Sequence, residues 1–381
     1  MRTHDPRSEP FPARAPALAA LCAALLAGCV SQAPPPPAPG PAAPSAPAPQ
    51  PPPAPRPPAQ PTSDVADLAT MRAAFVRDTQ ARYGVPAERI ERVLDAATMR
   101  EGIVAAMSRP AERKAWHEYR PIFISDARIA GGRDFLARHR ASLSRVEARY
   151  GVPAEVIVAI IGVETSYGGN MGSHGVVDAL YTLAFAYPRS GDPTQAERER
   201  RRELFFRDEL AQLFKLADEQ GLDMLSLKGS YAGAMGYGQF MPSSWRDYAV
   251  DGDGDGRIDL FGNLEDVFAS VANYFVEKGG WRRGGPVMVR AQRDPGAADF
   301  NAADTDDPFL SQAELAARGW RAATAVPPDA PATVIRLEGA DGPEHWMIFD
   351  NFRAITRYNN SRLYATAVWQ LAQAIAGRPP A

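Results

Sequence analysis

Apolar residues recur at helical spacing along most of the chain and alternate in one short stretch only. The predicted order is therefore helix after helix, with one hairpin. Ser63 and Asp64 can cap a first helix carrying Val65, Leu68, Met71 and Phe75. The octapeptide ARYGVPAE occupies Ala81–Glu88 and again Ala148–Glu155. In each copy the sequence predicts a helix ending at Gly84 or Gly151, a turn through valine, and a new helix with Pro86 or Pro153 in its first turn. Two copies 67 residues apart make a reused corner rather than a repeat array. Val156, Ile157, Ile160 and Ile161 form a strongly apolar helix face that Gly168 and Gly169 should end. Asn170–Asp178 reads as a loop, followed by a helix through Leu180 and Phe185 that Pro188 stops. The charged run Glu197–Asp208 precedes a helix with Leu210, Leu213 and Leu216, and its arginines are interleaved with acids as on a solvated face. A Gly-rich loop follows Lys228, Pro242 opens another helix, and Asn263–Gly279 is again helical. Thr333–Leu337 and His345–Phe349 flank a turn at Gly339–Gly342 and predict the hairpin. A last helix begins near Ser361. The fold class expected is mainly α with a small β element.

Composition divides the chain. Arg2, Arg7 and Arg14 precede an apolar run, Ala17–Leu26, too short for a membrane span of about 20 residues. This is the pattern of an export signal. It ends in Leu26-Ala27-Gly28-Cys29, which resembles the lipobox of bacterial lipoproteins. The resemblance implies cleavage before Cys29 and acylation of that residue. Residues 1–28 are then a lipoprotein signal peptide. With no aspartate after Cys29, the rule of enteric bacteria directs the mature chain to the periplasmic face of the outer membrane. Sixteen prolines among Ser31–Pro61 prevent a packed core, so residues 29–62 read as a lipidated cysteine and a polyproline-II tether. Its reach is up to roughly 95 Å at about 3.1 Å per residue. Residues 63–381 remain as the globular part, enough for one large domain or two intimate ones. The two cysteines, Cys22 and Cys29, both precede it, so it needs no disulfide. A net charge of −3 gives no bulk electrostatic case for nucleic-acid binding.

Glu164 follows Ile157, Ile160 and Ile161 by seven, four and three residues, which places a carboxylate on the apolar side near the end of its helix. Desolvation and the negative helix end both disfavour its ionised form, as a general acid near neutral pH requires. The pattern alone also fits a structural glutamate paired with an arginine or capping a loop. Asp251, Asp253, Asp255 and Asp259 fall at positions 1, 3, 5 and 9 of an EF-hand-like loop. Gly256 stands at the turn and the Arg257 carbonyl at position 7. Such a set suits Ca²⁺. Position 12 is Gly262 instead of glutamate, and a surface turn without metal fits the same residues.

Five ordered motifs decide between these readings. They are GVETSYG at Gly162–Gly168, LKGSYAGAMGYGQFMPSSW at Leu227–Trp245, DGDGDGRIDL at Asp251–Leu260, SVANYF at Ser270–Phe275 and ITRYNNSRLYATAV at Ile355–Val368. Together they resemble lytic transglycosylases of the membrane-bound lytic murein transglycosylase B type, over about residues 65–378. The resemblance implies a multi-part helical ellipsoid with a lysozyme-like core. It implies cleavage of the β-1,4 bond between N-acetylmuramic acid and N-acetylglucosamine in peptidoglycan. Glu164 would be the sole acid/base and 1,6-anhydromuramoyl ends the product. By the same resemblance Ser230, Gln239, Tyr274, Tyr358, Asn359, Tyr364 and Tyr119 line the glycan groove. Asp266 closes an acidic loop, 251–266, that holds a structural Ca²⁺. No acid lies between Thr165 and Val177, which agrees with a one-carboxylate reaction; most glycosidases use two. A hydrolytic muramidase and an inactive wall-binding lipoprotein are the alternatives. The expected partners are glycan strands and, through the lipid, a membrane; the expected state is a monomer.

Overall fold

The computed structural model describes residues 67–108, 114–305, 307 and 309–378. The signal segment, Cys29, the Pro-rich tether and the expected cap at Ser63–Asp64 lie outside the described residues. The first described helix is α1 (Leu68–Tyr83), and its cap is Asp67, whose side chain accepts from the Thr70 amide at 2.8 Å. Both octapeptide corners form as the sequence predicts. Gly84 and Gly151 take φ of 70° and 73° and end α1 and α6, and each proline stands at the cap, one residue before its helix. After the first corner come α2 (Ala87–Ala96), α3 (Glu101–Met107) and α4 (Trp116–Phe123). Then come α5 (Asp126–Arg138), α6 (Arg140–Tyr150) and α7 (Ala154–Thr165).

Helix α7 is buried on nearly every side, as an all-round apolar helix must be. It packs against α5, α6, α11 (Leu264–Glu277) and α14 (Arg362–Ile375). Between α7 and α11 the chain forms β1 (His174–Gly175), α8 (Val176–Phe185), α9 (Ala196–Gln220), β2 (Lys228–Gly229) and α10 (Pro242–Tyr248). The helix expected after Asp178 thus starts at Val176. The charged run expected before a helix is instead the first half of α9: Arg201 and Glu197 pair on its exposed side, while Arg189 and Arg207 both pair with the largely covered Glu203. Strands β1 and β2 pair antiparallel, with His174 opposite Gly229.

The predicted hairpin is present as β5 (Thr333–Gly339) and β6 (Gly342–Ile348), closed by a turn between Gly339 and Gly342. It belongs to a larger antiparallel sheet of order β4-β3-β6-β5, which takes in β3 (Met288–Arg293) and β4 (Trp320–Ala322). Those two strands are short, so their brief alternation did not reveal them. Helix α12 (Gln312–Ala317), started by a Ser311–Glu314 capping box, helps cover a small second core of Leu315, Trp320, Ala332, Val334, Met347 and Phe349. Helix α13 (Asp350–Tyr358) leads into α14, capped by Ser361 as expected. Among the described residues no helix is long and apolar enough to cross a membrane.

Candidate active site

Glu164 is the penultimate residue of α7 and is half-buried rather than enclosed. The helix ends two residues before the predicted glycines. Ser166 and Tyr167 adopt φ of 52° and 63°, and Gly168 follows at 86°. Two successive non-glycine residues in the left-handed region hold backbone strain, which persists only where the surroundings over-determine it. Here they do. Thr165 Oγ1 lies 3.1 Å from the Ile161 carbonyl and 3.0 Å from that of Tyr237, and accepts from the Gly168 amide at 3.1 Å. The Tyr167 hydroxyl donates to the Arg128 carbonyl at 2.7 Å, and burial raises its pKa so that it stays a donor. Arg128 in turn donates to the Gly162 carbonyl in the last turn of α7. The Tyr167 ring occupies a slot between α5 and α7 that needs glycine on both walls. A Cβ at Gly132 or Gly162 would come within 2.6 or 2.7 Å of its hydroxyl. These four residues, Thr165, Tyr167, Tyr237 and Arg128, were not among the sequence candidates. The visible signal was glycine inside two otherwise sound helices, which costs about 1 kcal/mol and calls for a packing reason.

Across from α7, the Tyr364 hydroxyl of α14 donates to Glu164 Oε1 at 2.5 Å. Tyr358, at the end of α13, donates to the Gly238 carbonyl at 2.6 Å. Burial, reinforced by the Glu164 charge, raises both tyrosines well above the usual phenol range, so both hydroxyls stay neutral donors. Tyr274 donates to the Arg357 carbonyl at 2.6 Å and its ring lies 4.9 Å from that of Tyr358. Gln239, itself at φ 50°, donates through Nε2 to the carbonyls of Gly236 and Met171. Ser230 Oγ accepts the amides of Ala232 and Ala234. Its backbone is pressed against Gly172, where a Cβ would meet Gly229 O at 2.1 Å. Glu164, Ser230, Gln239, Tyr358 and Asn359 are the half-buried members of the predicted set. Tyr274, Tyr364 and Tyr119 are buried, at 8%, 3% and 1% exposure. Tyr119 stacks on Trp116 and neighbours Tyr364, so its place is in the support of the site. Asn359 ends α13, and no side-chain partner for it exists among the described residues.

The acidic loop brings together three of its expected ligands, and neither Asp259 nor Asp266 joins that cluster. Oxygens of Asp251, Asp253 and Asp255 come within 4.8 Å of one another. Asp251 accepts the amides of Gly254 and Gly256, Asp253 that of Asp255, and Asp255 that of Arg257. Asp259 is turned to the amides of Phe261 and Gly262. Asp266 is fully buried and accepts from Gly252 and Asp259, both at 2.7 Å, so it ties the two ends of the loop. Burial pushes its carboxyl up, and the charges of Asp253 and Asp251 add to the effect against its two amide donors. Glu265 points elsewhere, to Ser142 and Arg145 on α6.

Buried helix α7 brings a single carboxyl group, that of Glu164, against the Tyr364 hydroxyl, and the solved structures similar to this fold are lysozyme-like lytic transglycosylases. Residues 67–373 match the transglycosylase SLT domain family. The chain belongs to that family and is a lytic transglycosylase of it. It is 38% identical over 313 residues to the membrane-bound lytic murein transglycosylase B of Escherichia coli (strain K12), covering 79% of this chain and 81% of that protein. Among solved structures it is similar to the soluble lytic transglycosylase SltB1 of Pseudomonas aeruginosa. That match has 48% identity and a TM-score of 0.70, over 80% of this chain and 98% of that one. It is also similar to the Escherichia coli lytic transglycosylase Slt35 in complex with calcium. Here identity is 38% and the TM-score 0.69, over 80% of this chain and 92% of that one.

Proposed function

We propose that the chain cuts peptidoglycan strands between N-acetylmuramic acid and N-acetylglucosamine, with Glu164 as sole acid/base. The observation that carries this is the setting of Glu164: half-buried at a strained helix end, with the Tyr364 hydroxyl on one oxygen. Glu164 gives its proton to the glycosidic oxygen as the bond to the muramoyl C1 breaks. The carboxylate then takes the proton of the C6 hydroxyl of the same sugar, whose oxygen closes on C1. No water is consumed, and the positioned hydroxyl replaces an external nucleophile. The next acid along the chain supports this, because Asp178 is occupied by Arg100 and by the Thr98 amide. Ser230, Gln239, Tyr274, Tyr358, Asn359 and Tyr364, with Tyr119 in support, would hold the sugars. Mass spectrometry of fragments released from purified sacculi tests the reading. Anhydro products, about 18–20 Da lighter than reducing-end products, are expected for intramolecular closure. Reducing ends would make the enzyme a muramidase, and binding without any release would make it a wall-binding protein.

Asp251, Asp253 and Asp255 would hold a Ca²⁺ ion, with the Arg257 carbonyl and Asp266 as its proposed further ligands. Three converging carboxylates repel one another until a hard cation bridges them. The ion would supply stability to the 251–266 loop. Removing it with a chelator is expected to lower the melting temperature by about 3–8 °C. The raised carboxyl of Asp266 sets the pH dependence. Without a cation its contribution is favourable below the ordinary aspartate range and is lost as pH rises through its raised value. The chelator effect should therefore be largest near neutral pH and shrink in acid. An unchanged melting curve with chelator or added Ca²⁺ would remove the ion. Lipidation at Cys29, a tether over 29–62 and anchorage at the periplasmic face of the outer membrane complete the proposal for a monomeric enzyme.

A further inference from the structure

The active-site tyrosines do not exhaust the chain's binding chemistry. A cavity of about 260 Å³ lies between α4, strand β3, the β5–β6 hairpin and α14. Trp116, His117, Arg120, Arg290, Glu344 and Gln370 contribute to its lining. None of them belongs to the set around Glu164. Its volume sits near the low end for small-molecule sites, about 300–1,000 Å³, and suits one or two amino-acid residues better than a disaccharide.

The wall is polar in an ordered way. Arg120 is half-buried and forms no salt bridge among the described residues. Its Nε donates to Gln370 Oε1 at 2.9 Å, and Gln370 is itself buried at 3% exposure. A neutral amide thus fixes the guanidinium without neutralising it. Arg290 lies flat over the Trp346 ring, 4.0 Å from its centre, and pairs with Glu344 at 3.2 Å. The indole N–H of Trp116 is buried without a partner, although Trp116 is only 1% exposed. A buried donor left unpaired costs about 1–3 kcal/mol, so its retention calls for an explanation. His117 Nδ1 is 3.2 Å from the Glu338 carbonyl, which only accepts, so this nitrogen carries the hydrogen and Nε2 of the neutral ring is an acceptor. The cavity therefore combines a cation oriented by a neutral amide with the carboxylate of Glu344 and the His117 imidazole.

Such a set matches a carboxylate attached to amide or amine N–H groups. We propose that this cavity binds a carboxylate-bearing part of the peptide that hangs from the muramoyl sugar. The inference rests on the peptidoglycan reading above. Position agrees with it. Trp116 stacks on Tyr119, which neighbours Tyr364, the residue bonded to Glu164. Gln370 follows Tyr364 by six residues on α14, about 9 Å along the helix axis. A peptide of four or five extended residues reaches about 13–18 Å, longer than the rise of α14 between Tyr364 and Gln370.

The test uses the full-length Glu164→Gln protein in detergent, so that glycan stays uncut, and isothermal titration calorimetry. The titrants are peptides released from sacculi by an amidase, peptide-free glycan and sodium acetate. Peptide binding is expected, weakened at least tenfold by Arg120→Gln, with glycan affinity and melting temperature unchanged. Arg290→Gln serves as a second variant and should weaken peptide binding in the same way. Acetate binding as tightly as peptide would reduce the cavity to a general anion site and overturn the proposal. So would peptide affinity indifferent to both variants, or no peptide binding while glycan still binds. Failure of the peptidoglycan reading shows separately, as failure of the wild-type chain to release any fragment from sacculi.

Discussion

Glu164→Gln is expected to lower the release of fragments from sacculi by about 10³-fold or more while leaving the fold intact. The size follows from the roles assigned. General acid–base transfer by one positioned group contributes about 10²–10⁴-fold, and here the same carboxyl serves twice. The substitution keeps shape and volume. The Tyr364 hydroxyl can still donate to the side-chain carbonyl that replaces Oε1, and the Thr165, Tyr167 and Arg128 bonds that hold the helix end are untouched. The melting temperature should therefore move little. Residual release above a few per cent of wild type, in a protein of unchanged stability, would show that another group carries the proton.

Gly172→Ala is expected to be among the most damaging single-methyl changes near the site. Gly172 sits at φ 91°, and an added Cβ would fall 2.1 Å from Gly229 O and 2.6 Å from the Ser230 amide nitrogen. Both obstacles are backbone, held by the β1–β2 pairing and by the Ser230–Ala234 hydrogen bond, so neither can swing aside. The expected loss is about 2–4 kcal/mol in urea unfolding, together with most of the cleavage activity, since the displaced segment carries Ser230. Gly191→Ala is the control. Its φ is 76°, and nothing lies within 4 Å of the added carbon. There only the left-handed backbone is penalised, at about 1–2 kcal/mol. Equal losses at the two positions would mean that the close approach at Gly172 is not rigid.

The parts of this fold legible in the sequence are those fixed by local rules. Glycine–proline corners, the apolar α7, the Ser361 cap and the glycine-closed hairpin all follow from residues a few positions apart. The convergence of Asp251, Asp253 and Asp255 was legible for the same reason, whereas the tie that buried Asp266 makes to the Gly252 and Asp259 amides was not. Strands β3 and β4 were not, because their alternation is brief and their pairing with β6 and with each other is long-range. Glu164 stood out by its place on an apolar face, whereas the machinery holding it did not. Arg128 and Tyr167 act through backbone carbonyls that any sequence would supply, and Tyr364 meets Glu164 across 200 residues of chain. The half-burial of Glu164 was likewise not readable from α7 alone, since it depends on what α13 and α14 leave uncovered.

The two ARYGVPAE corners carry a consequence of their own. Gly84 has open space about its α-carbon, whereas at Gly151 a Cβ would strike the Arg283 side chain at 2.8 Å. That guanidinium also donates to the carbonyls of Glu147, Ala148 and Arg149, and Trp281 donates to the Gly151 carbonyl. One octapeptide thus appears in a single molecule with its corner glycine open in one copy and clasped in the other, with matching glycine dihedrals. The chain is its own host–guest experiment. The same exchange made at each corner separates what eight residues encode by themselves from what their neighbourhood adds, with expression, solvent and unfolded ensemble held in common.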